Sequence, residues 1–226
     1  MSRVVIKAIK SSFGRFFADI GLAVDQFGAA LEYNHEHLKE FPRYRTIFPI
    51  ESFEPVFNET NKVAHLSSLM GAVELENEVI VGTGSILRAD VNQIRIGERT
   101  IVGDYSSMIT ENLTGQIPGS INIGRDVFIG DKVTLKPCVI DDGAYIGDGS
   151  YIQDGAIVER NAIVLPFSVV PAGAIITANQ VWSGNSVKLI REANKEDSDR
   201  VEADKHHKRS FYSQVDQDRV FYTPSE

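Results

Sequence analysis

A chain of 226 residues with 42% hydrophobic content is long enough to bury one core, and we expect one folded domain with appended segments. The net charge of −8 and the lack of a long basic patch argue against nucleic acid as a partner, because phosphate binding depends on clustered Lys and Arg. The single cysteine, Cys138, excludes an intrachain disulfide and a multi-cysteine metal site. No apolar run reaches the roughly 18 residues that a membrane-spanning helix needs.

The first predicted element is an amphipathic helix at residues 3–32, within an N-terminal segment of residues 1–33. Its apolar side chains recur at steps of three and four, which places them on one stripe. Four basic residues and no acid precede Asp19, a pattern typical of a presequence and of a helix lying on anionic lipid. The stripe either contacts a membrane or partner subunit or packs on the protein's own body. The residues that we predict to make the membrane or partner contact are Phe13, Phe16, Phe17, Ile20, Val24 and Phe27.

An extended arm without regular structure is predicted for residues 34–64, where prolines interrupt the periodicity. A six-residue repeat of aliphatic side chains occupies residues 65–180. This period does not fit a helix of 3.6 residues per turn and is too sparse for ordinary strand alternation. It predicts a mainly β solenoid in which three hexapeptide units form one triangular coil and the periodic side chain points inward. The repeat positions are Leu69, Leu75, Val81, Leu87, Ile96, Val102, Met108, Ile123, Ile129, Leu135, Ile140, Ile146, Ile152, Val158, Val164, Val170 and Ile176.

Three departures from the repeat are visible in the sequence. The step from Leu135 to Ile140 is five residues rather than six. Three extra residues separate Leu87 from Ile96, and residues 110–121 interrupt the repeat as a predicted protruding loop rich in Gly, Pro and Asn. Residues 181–226 are assigned to a C-terminal helix and tail. We predict the helix at residues 186–209 and a tail that is only partly ordered.

Three segments, in this order, resemble the γ-class carbonic anhydrases. The run from Leu87 to Thr100 is similar to the family stretch LRGDVNxIxIGxxTNIQD. The run from Ile123 to Cys138 is similar to the stretch IGDNVTIGHxAxxHGC. The run from Val181 to Lys188 is similar to the closing stretch VWxGNPAKF. The resemblance extends from about residue 9 to residue 191. It implies a left-handed parallel β-helix and a trimer whose zinc sites lie between neighbours, each with two histidines from one subunit and a third from the next.

The N-terminal segment resembles that of one subgroup of this family. Residues 14–32 and the run Tyr44-Arg45-Thr46 are similar to the leader of the mitochondrial γ-carbonic anhydrase subunits attached to the membrane arm of respiratory complex I. This similarity implies a heterotrimer with related γ-carbonic anhydrase chains, peripheral to the mitochondrial inner membrane on its matrix side. Membrane-arm subunits of complex I and the inner-membrane lipid surface are then the further partners.

The resemblance places no histidine at the three family zinc-ligand positions, which are Ile109, Asp131 and Lys136. An isoleucine has no lone pair, an ammonium repels a dication, and one carboxylate holds zinc weakly, whereas the hydration of CO₂ needs zinc on three nitrogens. We therefore predict no catalytic residue and no cofactor bound by this chain's own ligands, with zinc only at interfaces between partner subunits. The histidines outside these positions are His35, His37, His65, His206 and His207.

Three charged residues match the family motif. Arg88, Asp90 and Asp104 correspond to its arginine and two aspartates, which in the family lie near the subunit boundary. They are interpreted as an interfacial ion-pair network, since a buried charge without a partner is costly. The alternative is that these three residues retain the ability to bind an anion.

The sequence thus predicts a non-catalytic structural subunit of mitochondrial NADH:ubiquinone oxidoreductase (complex I). One alternative is membership of a heterotrimer with carbonic anhydrase activity at a zinc site formed by partner subunits. A second is an acyltransferase, against which stands the lack of any histidine between Leu66 and Lys205, because such enzymes generally use a histidine base. A soluble scaffold outside mitochondria is the third.

Overall fold

The computed structural model describes residues 46–50, 53–64, 66–110, 119–215 and 221–222. The predicted N-terminal helix, with Phe13, Phe16, Phe17, Ile20, Val24 and Phe27, lies outside the described residues, as do His35, His37 and His65. The described elements are β1 (Ile47–Phe48), β2 (Lys62–Ala64), β3 (Ser68–Leu75), β4 (Ile80–Val81), β5 (Ile86–Ile96), β6 (Ile101–Val102), β7 (Ser107–Ile109), β8 (Ile121–Ile123), β9 (Phe128–Ile129), β10 (Thr134–Leu135), β11 (Val139–Ile140), β12 (Tyr145–Ile146), β13 (Tyr151–Ile152), β14 (Ile157–Val158), β15 (Ile163–Val164), β16 (Val169–Val170), β17 (Ile175–Ile176), β18 (Gln180–Ser183), β19 (Lys188–Glu192), α1 (Lys195–Val215) and β20 (Phe221–Tyr222).

The strands stack into the three faces of a prism. Face 1 contains β7, β10, β13 and β16 with the first parts of β3 and β5, and face 2 contains β8, β11, β14 and β17 with their last parts. Face 3 contains β2, β4, β6, β9, β12, β15 and β18, paired in parallel in that order. Successive strands of the chain lie on successive faces, so three strands complete one coil. The predicted mainly β, left-handed parallel β-helix is confirmed.

The six-residue repeat marks the core. Every repeat position named above is at most 4% exposed, and all of them belong to one continuous hydrophobic cluster inside the prism. Neighbouring residues of a strand point to opposite sides, so that in β10 the side chain of Leu135 is buried while that of Thr134 is partly exposed. The removal of this apolar surface from water is the main stabilising contribution to the fold.

The three-residue insertion lies at the corner between faces 1 and 2. β5 turns from one face to the next, and its pairing with β3 shifts register after Gly71, so residues 90–93 lie opposite a single residue of β3. Gly71 has φ of 74°, and a Cβ there would lie 2.3 Å from the carbonyl oxygen of Ala89. The turn therefore requires glycine.

The described residues of the predicted arm, 46–50 and 53–64, are more regular than predicted for residues 34–64. β1 pairs in parallel with β3, and Val56 forms an isolated bridge with Glu74. The described coils begin with β2, at Lys62 rather than at residue 65. The physical reason is that the outer edge of the first coil presents unpaired N–H and C=O groups, and the arm pairs with them.

The C-terminal helix begins at Lys195 rather than at residue 186 and ends at Val215 rather than at residue 209. Residues 188–192 instead form β19, antiparallel to β18. The prediction of helix for residues 186–194 is wrong because the free edge of the last coil offers hydrogen-bond partners that favour a strand. Within the predicted tail, β20 pairs antiparallel with β2 at the other end of face 3.

The helix α1 covers face 3. Tyr212 is 1% exposed and packs in one cluster with Ile101 and Phe128, and Val201 packs in another cluster with Ile163. Outward side chains of this face are therefore buried as well as inward ones. The sheet and the helix form a second layer of apolar contact outside the prism.

The beginning of α1 is stabilised by a reciprocal cap. Asn194 Oδ1 accepts the backbone N–H of Asp197 at 2.9 Å, and Asp197 Oδ2 accepts the N–H of Asn194 at 2.9 Å. The Asp197 carboxylate also pairs with Arg191, with 2.8 Å between Nη2 and Oδ1. The hydrogen bond from Arg191 lowers the pKa of Asp197 to about 2.

Acid should remove the contribution of Asp197 to stability. Since its folded-state pKa lies below the ordinary value of about 3.9, the contribution is complete above about pH 4 and is lost as the pH falls through about 2. We expect Asp197→Asn to lower the free energy of unfolding at neutral pH, and the difference from the unsubstituted chain to shrink towards pH 2. Denaturant unfolding across this range measures the effect. The control is Asp199→Asn, at an exposed position of the same helix, and a pH-independent difference for Asp197→Asn would contradict the expectation.

Candidate functional site

Aspartates stack at the corner where the chain passes from face 3 to face 1. Each carboxylate accepts the backbone N–H of the corner residue one coil earlier: Asp104 from Thr83 at 2.8 Å, Asp131 from Asp104 at 2.7 Å, and Asp148 from Asp131 at 2.8 Å. A short acidic side chain suits this position because it reaches an adjacent backbone amide that the corner leaves unpaired. We name Asp104 and Asp131 together the aspartate corner.

Two side chains of α1 bind the aspartate corner. Lys208 Nζ lies 2.7 Å from Asp131 Oδ1 and 3.2 Å from Asp104 Oδ2, and the hydroxyl of Tyr212 donates to Asp104 Oδ1. Burial alone lowers the pKa of Lys208, but the hydrogen bond to Asp131 and the two carboxylate charges outweigh it and raise that pKa above its ordinary value. Burial and the hydrogen bond to Asp104 raise the pKa of Tyr212. The corner thus holds two carboxylates, an ammonium and a neutral phenol, all from this chain.

A second set of polar contacts holds α1 at the opposite edge of face 3. Arg99 Nη2 lies 2.6 Å from Asp126 Oδ2, and Arg209 Nη2 donates to the backbone oxygen of Arg99 at 2.8 Å and to Asp126 Oδ1 at 3.3 Å. The hydrogen bond from Arg99 lowers the pKa of Asp126. In addition, Tyr145 donates its hydroxyl to Asp204 Oδ2 at 3.0 Å. The helix is therefore fixed on both sides of the face it covers.

Ile109 and Lys136 lie at the other edge of face 1 from Asp131. Ile109 is the last residue of β7, where its Cα partner is Arg88, and Lys136 directly follows β10. Because β10 pairs in parallel register with β7, the two residues are neighbours on adjacent coils. Within one chain, the structure brings together two of the three positions that the resemblance assigns to zinc ligands, and it places the third at the aspartate corner.

Arg88 and Asp90 form an ion pair near the insertion. Arg88 Nη2 lies 2.6 Å from Asp90 Oδ2, and Arg88 Nε donates to the same oxygen at 2.9 Å. The Arg88 side chain is 51% exposed, and Asp90 Oδ1 is buried without a hydrogen-bond partner among the described residues. Asp104 belongs instead to the aspartate corner. The three residues expected near the subunit boundary therefore form two separate groups within this chain.

Sequence reasoning missed Lys208 and Tyr212. Their spacing of four residues places both on one side of a helix, which is the only signal that the sequence offers. A lysine in a charged segment is normally solvated, and Tyr212 lies beyond the predicted end of the helix. The coil residues that they meet, Asp104 and Asp131, are 104 and 77 positions away from Lys208 in the chain, so only the fold reveals the contact.

The described residues also bear on metal binding and on membrane insertion. In the parts of the chain that the structure describes, no three His, Cys, Asp or Glu side chains converge in a way that would hold a metal ion. His206 and His207 are exposed on α1. None of the helices within the described ranges is long and apolar enough to cross a membrane.

The stacked coils are those of hexapeptide-repeat proteins. A hexapeptide transferase family protein from Anaplasma phagocytophilum is 24% identical and superposes with a TM-score of 0.69 over 75% of this chain and 97% of that chain. A putative acetyltransferase from Bacillus cereus is 29% identical, with a TM-score of 0.66 over 71% of this chain and 91% of that chain. The structural class is therefore that of the hexapeptide β-helix.

The sequence relatives define the family within this class. The chain is 39% identical to gamma carbonic anhydrase 3, mitochondrial, of Arabidopsis thaliana over 82% of its own length and 72% of the relative's. It is 29% identical to gamma carbonic anhydrase 1, mitochondrial, of the same plant, over 82% of this chain and 68% of that protein. No family model matches the sequence. On this similarity the chain belongs to the γ-carbonic anhydrase family.

Proposed function

We propose that this chain is a non-catalytic structural subunit that assembles with related γ-carbonic anhydrase chains into a heterotrimer on the matrix side of the membrane arm of respiratory complex I. The main support for the proposal is that Asp131, at a family zinc-ligand position, binds groups of its own chain. Its carboxylate accepts the N–H of Asp104 at 2.7 Å and pairs with the ammonium of Lys208 at 2.7 Å, so it serves the fold and α1.

The other two ligand positions support the same proposal. Ile109 has no lone pair, and Lys136 carries an ammonium, so neither matches the neutral nitrogen donors that catalytic zinc requires. The donor set present in this chain therefore does not fit zinc. The retained fold then serves assembly and not catalysis.

Support for assembly comes from the ion pair at the insertion. A carboxylate oxygen that is buried is normally hydrogen bonded, and Asp90 Oδ1 has no partner among the described residues. Arg88 beside it is half exposed and has donors available for a neighbouring molecule. A neighbouring subunit seated at this corner would supply the missing contact for Asp90 and bury Arg88.

Support for the mitochondrial location comes from the relatives. The two Arabidopsis proteins at 39% and 29% identity are named as mitochondrial. The predicted presequence-like segment agrees with that location, and its proposed contact with the inner-membrane surface or with membrane-arm subunits depends on the apolar stripe from Phe13 to Phe27.

The chain by itself is expected to carry substoichiometric zinc and to hydrate CO₂ at the uncatalysed rate. The measurement is elemental analysis and stopped-flow CO₂ hydration on the purified chain supplied with zinc during expression, with an active carbonic anhydrase as positive control. One zinc per chain, together with hydration well above background, would contradict the non-catalytic assignment.

The assembly is tested on the native complex. Affinity purification of the tagged chain from mitochondria is expected to recover related γ-carbonic anhydrase chains and complex I membrane-arm subunits. A chain in which an unrelated mitochondrial presequence replaces residues 1–30 should show a weaker association, and unchanged recovery would contradict the proposed anchor. Zinc in the purified heterotrimer, absent from this chain alone, would support the alternative in which partner subunits form an active site between themselves.

A further inference from the structure

At the contact between α1 and the aspartate corner, an ammonium lies between two carboxylates, an arrangement that apolar packing alone does not require. Asp104 and Asp131 lie on adjacent coils, joined through the bond from the Asp104 N–H to Asp131 Oδ1. Two carboxylates in such proximity repel each other unless a cation lies between them. Lys208 provides that cation, within 2.7 Å of one carboxylate and 3.2 Å of the other.

The residues around Lys208 hold its ammonium in place. Its side chain is 17% exposed, and its ammonium lies 5.9 Å from the centre of the Tyr212 ring. The Tyr212 hydroxyl donates to the second carboxylate oxygen of Asp104. The side chains of Asp104 and Asp131 are 25% and 34% exposed, so these ion pairs are partly buried. Partly buried pairs are screened by salt less than exposed ones, and the loss of Lys208 would leave both carboxylates without their cation.

We infer that Lys208 is the permanent counter-ion of the aspartate corner. Together with Tyr212, it fixes α1 over Asp131, the position at which the family has a metal ligand. A divalent cation at Asp131 would lie beside a fixed ammonium and would be repelled by it. The inference rests on the proposed function, because it takes this chain to hold no metal. The group that fills the corner is the ammonium of Lys208, and α1 carries it there.

The test compares Lys208→Met with Lys205→Met in the full chain. Lys205 is the comparison residue because it lies one turn earlier on α1, is also buried, and forms its ion pair with Glu202 of the same helix. Its charge acts on Asp126, at the opposite edge of face 3, and not on the aspartate corner. Cobalt(II) titration by calorimetry reports cation binding, and hydrogen exchange of residues 204–215 reports opening of the helix.

Lys208→Met is expected to bind cobalt at least about tenfold more tightly than Lys205→Met and the unsubstituted chain, because the repelling charge is gone. Adding Asp131→Asn should abolish this gain. Exchange over residues 204–215 should become at least about tenfold faster in Lys208→Met than in Lys205→Met.

Either of two results overturns the inference: cobalt binding by Lys208→Met that is no tighter than by Lys205→Met, or exchange rates that do not differ between them. If Lys208→Met does not fold by circular dichroism, Lys208→Gln, which keeps a donor without charge, is measured in the same way. Tight cobalt binding by the unsubstituted chain is a distinct outcome that contradicts the proposed function itself.

Discussion

Tyr212→Ala is expected to lower the free energy of unfolding by about 3–5 kcal/mol, the range for removing a large buried aromatic side chain. Tyr212 is 1% exposed and lies between α1 and face 3, where it packs with Ile101 and Phe128. Phe211→Ala is the matched control because Phe211 is the adjacent residue and is 48% exposed. Its ring meets that of Tyr212 edge-on, with 5.3 Å between the ring centroids, so we expect the control to lower the free energy of unfolding by about 0.5–1.5 kcal/mol, less than Tyr212→Ala.

Tyr212→Phe separates the packing of the ring from its hydrogen bond. It keeps the ring and removes the hydroxyl that donates to Asp104. We expect it to lower the free energy of unfolding by about 1.5–3 kcal/mol, the range for a hydrogen bond to a charged group. Denaturant unfolding of the three variants gives these differences. Equal effects of Tyr212→Ala and Phe211→Ala would show that α1 does not pack on face 3 through Tyr212.

Leu135→Ala is expected to cost about 2–5 kcal/mol of folding stability. Leu135 is fully buried inside the prism, between its Cα partners Met108 and Ile152 on the adjacent coils. Truncation leaves a cavity that rigid coils cannot close, since each coil is fixed by backbone bonds to its neighbours.

Thr134→Ala provides the comparison within the same strand. Its side chain points away from the core, so we expect a change of about 0.5 kcal/mol or less. Chemical denaturation measures both variants. A loss for Thr134→Ala as large as that for Leu135→Ala would contradict the inward and outward assignment of the repeat.

The repeat made the coils predictable from sequence because a single physical requirement, burial of one side chain in every six, recurs along the chain. Leu87 and Ile146 could both be placed in the core without knowledge of any contact. The segment at residues 188–192 could not be predicted, because its conformation depends on the free edge of β18 and not on its own propensity.

The candidate site was predictable only in part. The resemblance identified Asp131 as a position of interest, and the rule that short acidic side chains bind backbone amides at turns is general. Its pairing with Lys208 depends on how α1 lies over face 3, which follows from packing at Tyr212 and from the contact of Arg209 with Asp126. No local pattern in the sequence contains that information.

Both terminal strands of face 3 run against the direction of the coils. β19 reverses at one end and β20 at the other, so within this chain the parallel ladder of face 3 stops at both ends. Stacked solenoids without such reversal are templates for head-to-tail growth into filaments. In this protein the reversal occurs on face 3, whereas face 2 ends in the coil strand β17 within the described residues, so the last edges of these two faces present strands of opposite direction.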